Sequence, residues 1–501
     1  MAHSIEITVI DDQIPLLLKT AKDELRKEEG KLSSCQMQQS QTTESNDEDP
    51  PSGSQTTECV NQIFHKKFED LDKLSIKSST IFKVNVGLRE SNPAAYVPKM
   101  VSIGPYHKGN SQLSSMEKYK LLYLRRFLER NNQLDVKSCI SELDKWMEKA
   151  LNCYGDIEGF DTDNDSHEFC QMLLLDGCFV VEFIRERCQI YPQGKREGEG
   201  EDKIINFVGS KYNQIVRDLL LLENQLPFFV LNKLHYMTKQ DDELPLVILV
   251  MISFTHFLGL GCEFTPIFII ETICNEENIK HILQAVHIHS CHGNPIKDSK
   301  HGGMETKVMP NATELSEAGI SFIKVGHFDR LLGGGDLEDD ISLFDIKFEK
   351  GVMKIPCFGV GDGTEILLRN LIAYEQQSSD VKPKYFSDFA FFMDHLIDSE
   401  KDVNLLRQKE IIKNWIGEDK EVASLFNKIG NGVTVYSDFY YGEEFKKAVE
   451  HCDKTWNKMK TNLMRNYFSS PWAGASTVAA IILLLLTTLQ TILAVTGSLH
   501  K

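Results

Sequence analysis

The last stretch of the chain restricts its folding more than any other. After Arg465 no Asp, Glu, Lys or Arg occurs until Lys501, and Ala473 to Val495 is a run of 23 residues, AGASTVAAIILLLLTTLQTILAV. As a helix rising about 1.5 Å per residue it reaches roughly 34 Å, enough to cross a hydrocarbon core of about 30 Å. The sequence therefore predicts a transmembrane helix at 473–495 followed by a short tail, 496–501. A second charge-free run, Leu246 to Cys262, is only 17 residues long, contains His256 and meets Glu263 at once. It is expected as a buried core helix rather than a span.

The other end, Met1 to Asp12 (MAHSIEITVIDD), has neither the basic start nor the apolar core of a secretory signal. The expectation is a single-pass protein of the plasma membrane or an endomembrane, inserted after translation through its C-terminal anchor. Lys446, Lys447, Lys454, Lys458, Lys460 and Arg465 precede the span and Lys501 follows it, so the positive-inside tendency puts the preceding domain in the cytosol. On that side the sequons at Asn164-Asp165-Ser166 and Asn311-Ala312-Thr313 stay unmodified.

With 42% hydrophobic and 26% charged residues, most of the 501-residue chain has the composition of a folded globular protein. Its formal charge of −18 repels phosphate backbones, so nucleic acid is not an expected partner. The 12 cysteines form no C-x-x-C pair and read as reduced, largely buried thiols. Gln36 to Thr57 contain almost nothing apolar and cannot offset the entropy of ordering, which makes 1–75 a largely disordered arm. The domain then spans 76–470, with polar surface loops at Tyr191 to Lys203, Cys291 to Pro310 and Gly333 to Asp340. No repeat of fixed period is visible, which argues against a solenoid.

Between the loops the apolar spacing is helical. In Ser115 to Arg130 the residues Leu121, Leu124, Phe127 and Leu128 share a face, with Lys118, Lys120, Arg125 and Glu129 around the rest. Similar patterns cover Tyr212 to Glu223, Thr364 to Gln376 (capped by Asp362 or Thr364), Ser387 to Ile397 and Glu421 to Ile429. One segment alternates instead: Phe344, Ile346 and Phe348, then Gly351, then Val352 to Ile355, a strand, turn and partner strand. The fold class is mainly α, a large helical domain with a small β hairpin or sheet and one C-terminal transmembrane helix.

The usual signatures of chemistry are missing. The glycines at 333–335 and 359–363 lack the Lys-Ser/Thr pair of a phosphate loop. Asp161, Asp163 and Asp165 imitate a calcium loop, but Ser166 and Met172 stand where Gly and a bidentate Glu are needed. His281, His287, His289, Cys291, His292 and His301 crowd together with no standard zinc spacing and are expected as surface histidines. Neither H-E-x-x-H nor G-x-S-x-G occurs. No catalytic, cofactor-binding or metal-ligating residue is assigned, and no cofactor is expected.

What stands out is polar residues inside apolar runs: Asp176, Asp218, Glu223, Asn224, Gln225, Arg369, Asn370 and Glu375. Burying them requires partners, so the reading is a structural network in which Arg369 meets one of these carboxylates and Asn224 or Gln225 satisfies backbone groups before Pro227. The competing reading makes Asp176 and Glu223 an acid/base pair.

These same segments carry a family resemblance. Ala95-Tyr96-Val97-Pro98 with Val101 to His107, Met116-Glu117 with Lys120, Leu174 to Phe179, Asp218 to Phe229, Ala312 to Leu315 with Glu317-Ala318-Gly319, and Leu368 to Gln376 occur in that order. They resemble the successive blocks of the plant family called domain of unknown function 247, over about Ile81 to Trp472, 392 residues. Asn85 and Lys108 depart from the family's usual Pro and second His. The resemblance implies a land-plant protein with a mainly helical domain and a C-terminal membrane helix, and it supplies no enzyme activity. Some grass members act as pollen-side determinants of self-incompatibility. The expectation is a non-enzymatic recognition or signalling protein that offers its loops to a protein partner and its last helix to membrane lipid. The rivals are an enzyme using Asp176, Glu223, Arg369 or Glu375, and a membrane-tethered scaffold.

Overall fold

Within Ser166–Ile190 every residue from Met172 to Arg185 except Leu175 is buried, and a helix enclosed on all its faces must be surrounded by others. In the computed structural model, which describes residues 60–68, 79–155, 166–190, 211–241, 243–258, 276–292, 294, 308–326, 342–434, 438–454 and 471–499, this helix is the axis of the N-terminal half. From residue 117 onward, helices of two turns or more are numbered α1 to α13. Around Ser166–Ile190 (α3) pack Glu117–Glu129 (α1), Val136–Asp144 (α2), Phe228–Thr238 (α5) and Leu246–Leu258 (α6), with Tyr212–Leu219 (α4) against α6. The charge-free run at 246–258 is thus a core helix, its residues Leu246, Val247 and Val250 fully enclosed.

Ile282–Cys291 (α7) lies on α6 and also touches Thr364–Gln377 (α8), joining the two halves. In the C-terminal half α8 packs on Tyr385–Leu396 (α9), and Asp419–Ile429 (α11) on α8, α9 and Glu400–Gln408 (α10). Gly442–Asp453 (α12) covers the small sheet. One continuous apolar core runs through both halves, from Ile81 to Val449.

The alternating segment forms the expected hairpin. Lys347–Glu349 (β2) pairs antiparallel with Val352–Pro356 (β3) through Lys350 (φ 51°) and Gly351 (φ 82°), the two positive angles of a type I′ turn. A third strand that periodicity did not reveal, Ser321–Val325 (β1), pairs parallel to β3 from Ser321↔Val352 to Val325↔Pro356. Phe358–Val360 (β4) and Ile412–Asn414 (β5) form a separate parallel pair.

Several expectations are corrected in detail. On α1 the buried face is Tyr123, Leu124 and Phe127 with Lys120, whereas Leu121 is exposed; an ion pair draws the lysine inward. α4 stops at Leu219, because the side-chain amides of Asn224 and Gln225 take the carbonyls of Asp218, Leu219 and Leu221. α8 has Gly363 as its first flanking residue, and Thr364 Oγ1 accepts from the Gly361 N–H instead of capping. A short helix at 60–68 falls within the N-terminal arm, the remainder of which up to residue 78 lies outside the described residues, as do the loops at 191–203 and 333–340, the acidic loop at 161–165 and most of 291–310.

The final helix, Pro471–Leu499 (α13), is 29 residues long. Its Gly474–Leu493 segment is long and apolar enough to cross a membrane, and none of it is buried by the rest of the described residues.

Candidate functional site

The block from Asp218 to Gln225 is a hub to which distant backbone segments are tied. Asp218 accepts the consecutive N–H groups of Lys99, Met100 and Val101 at 3.0, 2.6 and 2.8 Å. Burial pushes its carboxyl up, against the pull of these three donors. Asn224 accepts from Ile103 N at 2.7 Å and donates to the Val101 and Asp218 carbonyls. Gln225 donates to Leu219 and Leu221 and accepts from Leu283 N at 3.2 Å, so it also holds the start of α7. Asn370 on α8 accepts from Leu222 N at 2.9 Å and donates to Ala95 O. Gly104 (φ 75°) allows the close approach: a Cβ there would sit 2.6 Å from the Gln225 carbonyl oxygen.

The carboxylates considered as an acid/base pair have separate partners. Asp176 is sealed by Lys120 Nζ at 2.6 Å and Gly104 N at 2.9 Å. The Lys120 amine also meets Glu117 and the Ser102 carbonyl; burial would pull its pKa down, but Asp176 and Glu117 hold it above the usual lysine value. Glu223 is held by Arg89, by Val84 N at 2.6 Å and by His107 at 3.5 Å. Burial would raise the Glu223 pKa, yet His107, Val84 and Arg89 together lower it. Each carboxylate is committed to its own donors, which supports a structural role.

Arg369 is buried as expected but meets none of the carboxylates proposed for it. Its partners are Glu365 one turn earlier at 2.8 Å, Ser91 Oγ at 2.6 Å and Lys428 O at 3.1 Å. The i, i+4 spacing on one helix made Glu365 reachable without any long-range closure. Sequence reasoning also missed Glu182 and Arg185 of α3, paired at 2.8 Å and both almost fully enclosed, with Glu243 completing the arginine's fork at 2.6 and 3.0 Å. Their i, i+3 spacing was the available signal.

The histidines at 281, 287 and 289 are not on the surface: all three are buried, because their helix is pinned between α6 and α8. His281 Nδ1 caps α7 by accepting from Gln284 N at 3.1 Å, and burial pulls its pKa down to about 3. Burial likewise lowers His289 to about 4. His287 Nε2 lies 2.9 Å from Glu375 Oε1 and 3.7 Å from Cys291 Sγ. A thiol-activating relay needs the two imidazole nitrogens to face different groups. Here thiol and carboxylate face the same nitrogen, so the triplet cannot act as that relay. The Glu375 carboxylate is fixed further by Phe386 N at 2.9 Å, Ser387 N at 2.7 Å and Ser387 Oγ at 2.8 Å. His292 is exposed and His301 lies outside the described residues.

The family of plant proteins of unknown function called DUF247 matches residues 81–486. The chain belongs to this family. A UPF0481 protein of Arabidopsis thaliana is 28% identical over 457 residues, covering 86% of this chain and 89% of the relative. A putative UPF0481 protein of the same plant is 24% identical over 508 residues, covering 84% and 90%. No solved structure matches. Read on the DUF247 chain, five of the six sequence blocks contribute to the hub, in which Val101 to Gly104, Lys120, Asp176, Asp218 to Gln225 and Asn370 bond to one another, while Thr313 of the remaining block bonds Asp402.

Proposed function

We propose that this DUF247 protein is a membrane-anchored recognition or signalling protein, its helical domain held in the cytosol beside the membrane and engaging a protein partner. The observation that carries the reading is α13, a charge-free helix whose Gly474–Leu493 segment is covered by no other part of the described chain. An apolar cylinder of that length has lipid as its favourable surroundings. The cations at 446–465 and the free thiols of the described cysteines support the cytosolic side. A recognition role is supported by the commitment of the buried carboxylates and amides to backbone segments and ion pairs, which leaves the loops as the surface for specificity; a role in self-incompatibility is one form it would take.

Three measurements test this. Carbonate washing of plant membranes should leave the full chain in the pellet and release a chain ending before residue 471. In sealed microsomes external protease should digest the domain, and proximity labelling from it should enrich a protein that a chain with exchanged 191–203 and 291–310 loops no longer enriches. A protected domain, or labelling indifferent to the loops, overturns the corresponding half of the reading.

A further inference from the structure

The triplet on α7 and α8 has the arrangement of a ligand set. His287 and Cys291 are one turn apart, so both donors leave the same face of α7, and Glu375 reaches them from the last turn of α8. The three donor atoms lie within 4.8 Å of one another, and thiol and carboxylate converge on one imidazole nitrogen. That nitrogen can give its single proton to one of them only, whereas a metal ion between the three satisfies all. For tetrahedral zinc, bond lengths of about 2.0–2.3 Å imply N–S and N–O edges of roughly 3.6 and 3.3 Å. The observed 3.7 and 2.9 Å differ from these by less than a side-chain adjustment.

The surroundings fit as well. Phe386 N, Ser387 N and Ser387 Oγ orient the carboxylate from behind, as outer hydrogen bonds do at metal sites. The rings of Tyr374 and Phe386 stand 5.3 and 5.6 Å from the His287 ring and form an apolar wall. Lys384 donates to the Glu375 and Ser378 backbone carbonyls. A thiolate and a carboxylate supply two negative charges, matching a divalent ion, and the mixture of sulfur, imidazole and carboxylate suits zinc.

We propose that His287, Cys291 and Glu375 bind a zinc ion that clasps α7 to α8. Among the described residues no fourth His, Cys, Asp or Glu joins the triplet, which leaves one position for water or a small donor. On binding, the Cys291 thiol releases its proton to solvent and the His287 proton moves from Nε2 to Nδ1.

The test uses the full chain in detergent, titrated with zinc against a chromophoric chelator and, separately, with cobalt. The expected result is about one zinc per chain and a thiolate-to-cobalt charge-transfer band in the near ultraviolet. In Cys291→Ser, which keeps the His287–Glu375 bond, the band should vanish and zinc affinity should fall at least about tenfold, with the metal-free melting temperature unchanged. Absence of zinc binding by the wild-type chain overturns the proposal. So does bound cobalt without the thiolate band, which holds even where the variant fails to fold, or zinc affinity equal in Cys291→Ser, the result expected of exposed histidines such as His292.

Discussion

α6 and α13 are both helices without a formally charged side chain, yet they have opposite surroundings. α6 is 13 residues long and is enclosed by α3, α4, α5 and α7. α13 is 29 residues long and its apolar side chains are open, Leu485 by 64%. Apolar composition by itself therefore does not fix where a helix goes. Length limits the choice, since α6 is too short for a bilayer, and the presence of partner faces completes it. The same physics has different consequences for polar groups: the domain can enclose charges where a partner is built in, as at Lys120–Asp176, whereas α13 carries none to be paired.

The sharpest way to break the comparison is to place a charge on each helix. Val250→Asp puts an unpaired carboxylate where nothing can solvate it, and should destabilise the domain by at least about 4 kcal/mol, read as loss of the cooperative melt. Leu485→Lys should leave that melt unchanged and instead weaken membrane retention, a central lysine costing about 2.5–3.5 kcal/mol on insertion. Equal effects of the two on domain melting would end the distinction.

Removing one partner of a charge the domain does enclose comes next. Lys120→Met strands Asp176 and should cost about 3–5 kcal/mol in chemical denaturation. Adding Asp176→Leu should recover part of it, the Gly104 N–H remaining without its acceptor.

A smaller effect follows from enclosing His281 in its neutral form. Its pKa falls from an ordinary 6.5 to about 3 because burial disfavours the charge. The unfolded chain therefore binds the proton first: the stabilisation is complete above the unfolded value and is lost as pH falls from 6.5 towards 3. From about pH 7 to about pH 5 this group should remove roughly 2 kcal/mol. His289 and His395 act in the same sense, while Asp218 and Asp388, raised by burial, act in the opposite one. His281→Asn keeps a capping oxygen without the titration, so its stability should fall less steeply than the wild type's over this range; parallel curves would contradict the assignment.

The smallest expected change is in the hairpin. Gly351→Ala forces a side chain into a positive-φ position, with its Cβ 3.0 Å from the His451 ring, and should lower stability by about 1 kcal/mol in thermal melts. No change would mean that the turn contributes nothing to the sheet.

The features legible in the sequence were those whose cause is local. A charge-free run long enough for a bilayer, helical spacing from 115 to 130 and from 364 to 376, and alternation ending at Gly351 all express forces acting within one element, so α13, α1, α8 and the β2–β3 hairpin could be read without knowing their neighbours. Polar residues in apolar runs announced a buried network for a similar reason, since their presence is costly wherever the chain folds. Tertiary structure alone decided who meets whom. Periodicity placed Lys120 on a solvent face, and only the approach of α3 made it a buried partner of Asp176. β1 joins β3 across an intervening segment and gave no alternation strong enough to show it. His287 and Glu375 are 88 positions apart, and nothing along the chain records that α7 and α8 bring them, with Cys291, to one point. Convergence of this kind is a property of distances in space, and spacing along a chain carries that information only within a single helix or hairpin.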